Sequence, residues 1–485
     1  MFKIQFLRKV FYLVIVCCMF INCKREATND NNKSPVPIVI DSVEIAVNAQ
    51  FENSCSGCHG QQIQAFADRK WKHGKEISDL MNSIKNGYSD SGMPSFDAAF
   101  SEEEIKNIAI YIRKGIDNVD KYKLEPETTK VIDTFKTESI SIVLDTIVSD
   151  IRVPWHMNWL PNGNMLVTDR DGYLYRIDDD GGKNIVSGVP IVKNKNQGGL
   201  FEIQLHPNFK KNHWVYLSYS DLKVEGKDSL STTVISRYKL ENDQLTDKKD
   251  ILKVLPYSKK GGHYGAKMLF DDKGYLFVTI GDRQNRDVNP QDLTKIPGKI
   301  HRIHDDGSIP SDNPFVDSIG AVKSIYSYGH RNPQGIAFHP KTKDLWEHEH
   351  GPRGGDELNI VKPATNYGWP VISYGLNYDG TTFTNLLEKE GMEQPIHYWT
   401  PSIAPSGMTF VTSDKYGDWE NNLLVGSLRF KYLNRCVIED NKVVKEEILF
   451  KNIGRLRNVA MGPDGYIYVS VEKPGYVFRL NPVQD

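Results

Sequence analysis

The chain has 485 residues, with 60 basic against 62 acidic side chains and a formal net charge of −2. That balance excludes the strongly basic surface of a nucleic-acid binder and gives no support to charge-driven attachment to anionic lipid. The length allows two or more domains with a large core, and 23 Tyr, 20 Phe, 8 Trp, 38 Gly and 24 Pro suit a β-rich protein with many tight turns.

Residues 1–23 read as an export signal. Lys3, Arg8 and Lys9 precede an apolar run over residues 10–21, which is shorter than the roughly 20 residues a spanning helix needs. The run ends at Phe20-Ile-Asn-Cys23 and resembles a bacterial lipoprotein signal. That resemblance implies an exported protein held at a membrane by a lipid on Cys23, although Asn22 departs from the small residue usual there. Ordinary cleavage nearby, or an uncleaved anchor, are the alternatives. Residues 24–45 are polar and then Pro-containing, as in a flexible tether.

Residues 46–118 are organised around Cys55-Ser-Gly-Cys58-His59. Two Cys at i and i+3 can bond the vinyl groups of a haem while the adjacent His supplies an axial ligand. A thiol–disulfide pair or half a zinc site would use the same spacing. No second CxxC exists to complete a zinc ribbon, however, and no βαβ pattern surrounds this one. Cys17 and Cys18 lie in the apolar run and Cys436 stands alone, so no disulfide framework remains; Cys436 reads as a small buried apolar residue.

The second iron ligand is expected on irregular backbone, and Met93 in Ser91-Gly-Met-Pro94 fits, with His73 as the substitute if Met93 is a core residue. Ser101-Glu-Glu-Glu104 forms a capping box leading into Ile105, Ile108, Ala109 and Ile112, which predicts one amphipathic helix ending at Gly115. The whole segment resembles class I cytochromes c. Residues 119–138 are charged without apolar periodicity and read as a second linker.

From 139 to 485 the signal is repetition. Apolar alternation, a turn built on Pro, Asp or Gly, and a further apolar strand recur near residues 154–167, 199–218, 267–278, 335–345, 407–425 and 459–469. Six copies without long helices predict a mainly β fold, a six-bladed β-propeller, in which stacked four-stranded sheets protect one another's edges. A pair of β-sandwiches would not need six similar copies.

A propeller gathers loops from distant blades over one axis. The polar candidates are Gln197, His263, Asp282, Arg331, Asn332, Arg429, Arg455 and Arg457. Four Arg against few acids point to a ligand with several carboxylates, which guanidinium grips in a bidentate fork. Solvated surface charge is the alternative for each Arg alone.

Gln197-Gly-Gly-Leu200, Gly262-His263, Ile280-Gly-Asp282, Gly329-His-Arg-Asn-Pro-Gln-Gly335, Glu347-His-Glu-His-Gly-Pro352, Gly355-Asp-Glu357 and Asn366-Tyr-Gly-Trp-Pro370 resemble the soluble pyrroloquinoline quinone (PQQ)-dependent glucose/sorbosone, or aldose sugar, dehydrogenases. The resemblance spans nearly the whole propeller. It implies that His263 is the base taking the proton of the sugar C1 hydroxyl, with Asp282 orienting it, while hydride passes to PQQ. It also implies that Gln197, Arg331, Asn332, Tyr378, Ser402, Arg429, Arg455 and Arg457 hold or polarise PQQ. The carbonyls of Gly351 and Pro352 would bind the Ca²⁺ bridging PQQ to the protein, and Glu357 with the Tyr367 region a second Ca²⁺. One departure is Lys267, where family members commonly carry Arg.

With the haem segment, the resemblance implies a quinohaemoprotein that would convert an aldose to a lactone and pass electrons through haem c to a respiratory acceptor. A sorbosone-like substrate, or a propeller that only binds a glycan or protein, are the rival expectations.

Overall fold

The computed structural model describes residues 73–88, 93, 95–117, 134–378, 381–451 and 453–483, together with Val47, Gln50, Phe51 and Cys55. The expected signal with Cys23, the tether, Cys58 and His59 lie outside the described residues.

The described residues of the N-terminal segment include the helices α1 (Ile77–Asn86) and α2 (Glu102–Asp117). The expected capping box starts α2: Glu104 Oε2 accepts from the Ser101 amide at 2.8 Å, and the Glu104 amide donates to Ser101 Oγ at 3.3 Å. The helix runs on past Gly115, the expected stop, to Asp117; a glycine in a last turn costs only about 1 kcal/mol against alanine. Ile105, Ile108, Ala109 and Ile112 recur at helical spacing and pack with Leu80 and Ile84 of α1 and with Val47, Phe51 and Cys55. Met93 packs at the edge of this core, and its backbone pairs with Tyr88, whose ring stacks on His73 with centroids 3.8 Å apart.

From Phe135 onward the chain builds six antiparallel sheets, one per blade. The innermost strands are Pro154–Trp159, Leu200–Leu205, Met268–Phe270, Pro333–Phe338, Pro405–Phe410 and Arg455–Met461, and each falls within or beside one of the predicted copies. Second strands such as Leu276–Ile280 and Leu423–Ser427 are buried along their whole length. Both of their faces meet neighbouring blades, which explains why they read as continuous apolar runs.

The ring closes in blade 6. Ser141–Val148 from the start of the domain pairs antiparallel with Tyr476–Val483 from its end, with Leu144 opposite Leu480. Phe135–Lys136 adds a fifth strand to this sheet, so the propeller begins ahead of the expected boundary at 139. Apolar layers between blades hold the ring together; one joins Ile142, Leu424, Leu456, Val469 and Phe478 across blades 5 and 6. Full burial of each such side chain is worth about 1.5–3 kcal/mol.

Candidate active site

All six innermost strands run the same way along the axis, so the loops entering them share one end of the propeller. The loops joining second to third strands return to that same end. This topology alone brings Gln197, His263, Arg331, Asn332 and Ser402, which precede innermost strands, beside Asp282, Gly351, Pro352 and Arg429, which follow second strands. Arg455 and Arg457 open the innermost strand of blade 6.

The centre of this end is a dyad. His263 Nδ1 lies 2.7 Å from Asp282 Oδ1, and the Asp282 side chain is 1% exposed. Gln197 Oε1 accepts the His263 amide at 2.8 Å, which anchors a residue whose φ of 53° is left-handed, a conformation that side-chain-bearing residues keep only under outside constraint. Gly281 has to be glycine: a Cβ there would sit 2.4 Å from the His263 carbonyl oxygen and 2.9 Å from Asn332 Oδ1. Arg283 stacks 3.7 Å over the Tyr264 ring and donates to the carbonyls of Gly262 and Lys260, which locks the loop bearing His263.

With Nδ1 committed to Asp282, Nε2 is the nitrogen left to take a proton from a ligand. Burial, reinforced by the Arg331 charge, holds the imidazole below its ordinary value despite the Asp282 hydrogen bond. Burial pushes Asp282 the other way, but the His263 hydrogen bond and charge, Arg331 and Trp369 outweigh it and keep the carboxyl below its usual range. The dyad is therefore a neutral imidazole held by a carboxylate, a proton acceptor at neutral pH.

Trp369 is a residue that sequence reasoning missed. Its Nε1 donates to Asp282 Oδ2 at 2.9 Å, and the Arg331 guanidinium lies 5.3 Å from its ring. Hydrogen bonds to a charged acceptor contribute about 1.5–3 kcal/mol. Trp369→Phe keeps an aromatic ring and removes the donor, so kcat should fall about tenfold, with the acid limb of the pH–rate profile displaced. Steady-state kinetics between pH 5 and 8 measure both effects, and an unchanged profile would leave Trp369 a packing residue.

Arg331 is buried, donating to the His350 carbonyl at 2.8 Å and to the Tyr378 hydroxyl at 3.3 Å, while its Nε has no partner. The Arg331 and Asn332 amides both point at Glu349 Oε2. Asn332 Oδ1 accepts from the Gly265 amide at 3.1 Å, which ties blade 4 to the His263 loop. Ser402 donates to Asp356 Oδ2 at 2.7 Å, and the Gly351 and Ala404 amides donate to the same carboxylate at 2.8 and 2.9 Å. Burial pushes Asp356 up to about 6. Arg429 is exposed and reaches the Ser402 carbonyl at 3.4 Å.

The arginines have more acidic company than their sequence context suggests. Glu472 Oε1 accepts from Arg455 at 2.8 Å and from Arg457 Nε at 2.7 Å, and Arg457 stacks 4.1 Å over Trp155. Arg455 and Arg457 thus share one carboxylate, whereas neither Arg331 nor Arg429 has an ion pair among the described residues. Lys267, buried immediately ahead of the innermost strand of blade 3, is paired at 2.6 Å with Glu202, which also lies 3.5 Å from His156. Glu357 shares the face of blade 4 with Asn359, and the Tyr367 hydroxyl donates to the Ile360 carbonyl at 2.6 Å.

Residues 151–479 match the family described as Glucose / Sorbosone dehydrogenase, and residues 46–112 match Cytochrome C oxidase, cbb3-type, subunit III. The chain is 40% identical to aldose sugar dehydrogenase YliI of Escherichia coli (strain K12) over 337 residues, covering 68% of this chain and 90% of the relative. It is 28% identical to quinoprotein glucose dehydrogenase B of Acinetobacter calcoaceticus over 424 residues, covering 70% and 88%. The PQQ-bound aldose sugar dehydrogenase of Streptomyces coelicolor superposes with a TM-score of 0.57 at 25% identity, covering 70% of this chain and 98% of that one.

Proposed function

This chain belongs to the glucose/sorbosone dehydrogenase family, and from that premise we propose that it oxidises an aldose at C1 to the lactone, with PQQ as acceptor and haem c as the exit for electrons. The observation carrying the reading is the His263–Asp282 dyad, whose outward Nε2 stands in the same loop cluster as Arg331.

The donor set suits a flat, polycarboxylate cofactor. Arg331 has an unpartnered buried Nε, and Arg429 has a single long contact, so both have donor capacity for carboxylates. Gln197, Asn332, Tyr378, Ser402, Arg455 and Arg457 would complete the cradle. The Gly351 and Pro352 carbonyls are hard oxygen donors of the kind Ca²⁺ prefers, and Glu357 with Tyr367 would supply a second calcium site. Bound PQQ supplies a two-electron acceptor.

This chain's own residues do the rest. Nε2 of His263 takes the hydroxyl proton, Asp282 holds the ring in the tautomer that leaves Nε2 unprotonated, and Trp369 keeps Asp282 in place. Burial, with the Arg331 charge beside it, favours the neutral imidazole.

On residues 46–118, Cys55 and Cys58 would carry the haem and His59 with Met93 would bind its iron. A haem on the same chain makes the transfer intramolecular. Export, with a lipid on Cys23, would place the protein at the cell envelope beside a respiratory acceptor.

The test is a panel of aldoses and sorbosone-like aldehydes, offered to protein loaded with PQQ and Ca²⁺ in the presence of a redox dye. Aldose-dependent dye reduction with lactone as product is expected, and a panel without turnover would end this reading.

A further inference from the structure

A polar cluster between blades 3 and 4 plays no part in the chemistry above. His330 precedes the innermost strand of blade 4, and Glu347 and Glu349 sit on its second strand, Leu345–Glu349. Their alternation puts both carboxylates on one face, where Glu347 pairs with Asn359 and Glu349 with Glu357 across the ladder. The three side chains are 0%, 0% and 4% exposed.

The geometry is unusual for a hydrogen-bonded group. His330 Nδ1 stands 3.7 Å from Glu347 Oε1 and 3.6 Å from Glu349 Oε1, too far from either for a bond, and the three ligand atoms lie within 4.8 Å of one another. His330 Nδ1, Glu347 Oε2 and Asn359 Oδ1 are buried without a partner. Burial of such groups unsatisfied costs about 1–3 kcal/mol each, so three in one place call for an occupant. The other ring nitrogen, Nε2, is held at 2.8 Å by Ser327 Oγ, and the Tyr367 ring stacks on the imidazole at 4.7 Å. This is how a metal-ligating histidine is commonly oriented from behind.

We propose that His330 Nδ1, Glu347 and Glu349 bind a divalent first-row metal ion, zinc or manganese, between blades 3 and 4. Tetrahedral bonds of about 2.0–2.2 Å, the range for zinc with imidazole and carboxylate, put ligand atoms about 3.3–3.6 Å apart, and the 3.6 and 3.7 Å separations here lie at the upper edge of that range. A nitrogen ligand selects against calcium, which takes oxygen donors. None of these residues belongs to either calcium set above, and the inference does not depend on the activity. Glu349 also accepts the Arg331 and Asn332 amides through its other oxygen. A metal on Oε1 would therefore brace the peptide that presents those two side chains to the active-site loops.

The test uses the full chain, produced with zinc and manganese supplied and dialysed against calcium-containing buffer freed of transition metals and zinc. Mass spectrometric metal analysis, with iron left uncounted because a haem would contribute it, should find about one equivalent of zinc or manganese. Glu347→Gln, which keeps the shape and removes the charge, should retain less than about a tenth of that. With calcium kept in excess, a chelator that binds zinc and manganese far more tightly than calcium should lower the melting temperature of the unaltered protein reversibly, and leave that of the variant unchanged. Unaltered protein holding neither metal, or a Glu347→Gln variant holding as much, would overturn the assignment. Should the variant fail to fold, the chelation and re-addition series on the unaltered protein decides alone.

Discussion

Replacing His263 by alanine will lower kcat by about 10²–10⁴-fold, the usual share of a positioned general base, while leaving the melting temperature within a few degrees of the starting protein. The side chain is largely buried, 12% exposed, but the Gln284 amide and Trp369 Nε1 still hold Asp282 once the imidazole is gone, which limits the loss of stability. The same account fixes the pH dependence. Burial and the Arg331 charge lower the imidazole pKa, so His263 stays neutral to a pH below the ordinary ~6.5. The acid limb of kcat/KM must then fall below that value, and weakening the Arg331 charge must move the limb back up. Near-normal turnover in the alanine variant would remove His263 from the role of base.

Replacing Glu202 by glutamine will destabilise the propeller by about 3–5 kcal/mol, the cost of leaving a buried cation without its partner. Lys267 is 7% and Glu202 4% exposed at the side chain, and the two meet across blades 2 and 3. Glu202 Oε2 also accepts the Met268 amide at 2.8 Å, so the substitution disturbs the first residue of an innermost strand. Chemical denaturation of both proteins measures the difference. A change below about 1 kcal/mol, the range of solvated surface pairs, would mean that water reaches and screens the pair. This buried pair also accounts for the departure at Lys267: the position faces a buried carboxylate, and a lysine satisfies it.

The fold was legible because the propeller repeats a local pattern. Copies such as residues 267–278 and 459–469 each hold a whole hairpin, with the turn at Gly274 or Gly465 at positive φ, so no long-range information was needed to find the blades. The entry of Phe135–Lys136 into blade 6 was not legible, because that short strand is defined only by pairing with Ser141 and Ile142 in the closing sheet.

The site divides in the same way. His263, Asp282 and Arg331 stand in glycine-rich motifs that announce themselves. Trp369 meets Asp282 across a separation of 87 residues, and no local pattern predicts such a pair. Its one sequence signal was its place in Asn366-Tyr-Gly-Trp-Pro370. Glu472, which neutralises Arg457 and part of Arg455, lies at the end of an alternating strand and looks like any outward-facing acid. Counting arginines without it overstated the free positive charge. The buried cluster of His330, Glu347 and Glu349 was visible only as a run of charged letters, since burial decides whether such a run is solvated or chelating.

The measurement that bears most directly on the central claim is the absorption spectrum of the full chain during sugar addition. With PQQ and Ca²⁺ supplied, an aldose should convert the protein to the reduced c-type spectrum, and omission of PQQ should abolish that change. A haem that stays oxidised with every component present, or one that is reduced equally without PQQ, would contradict the account.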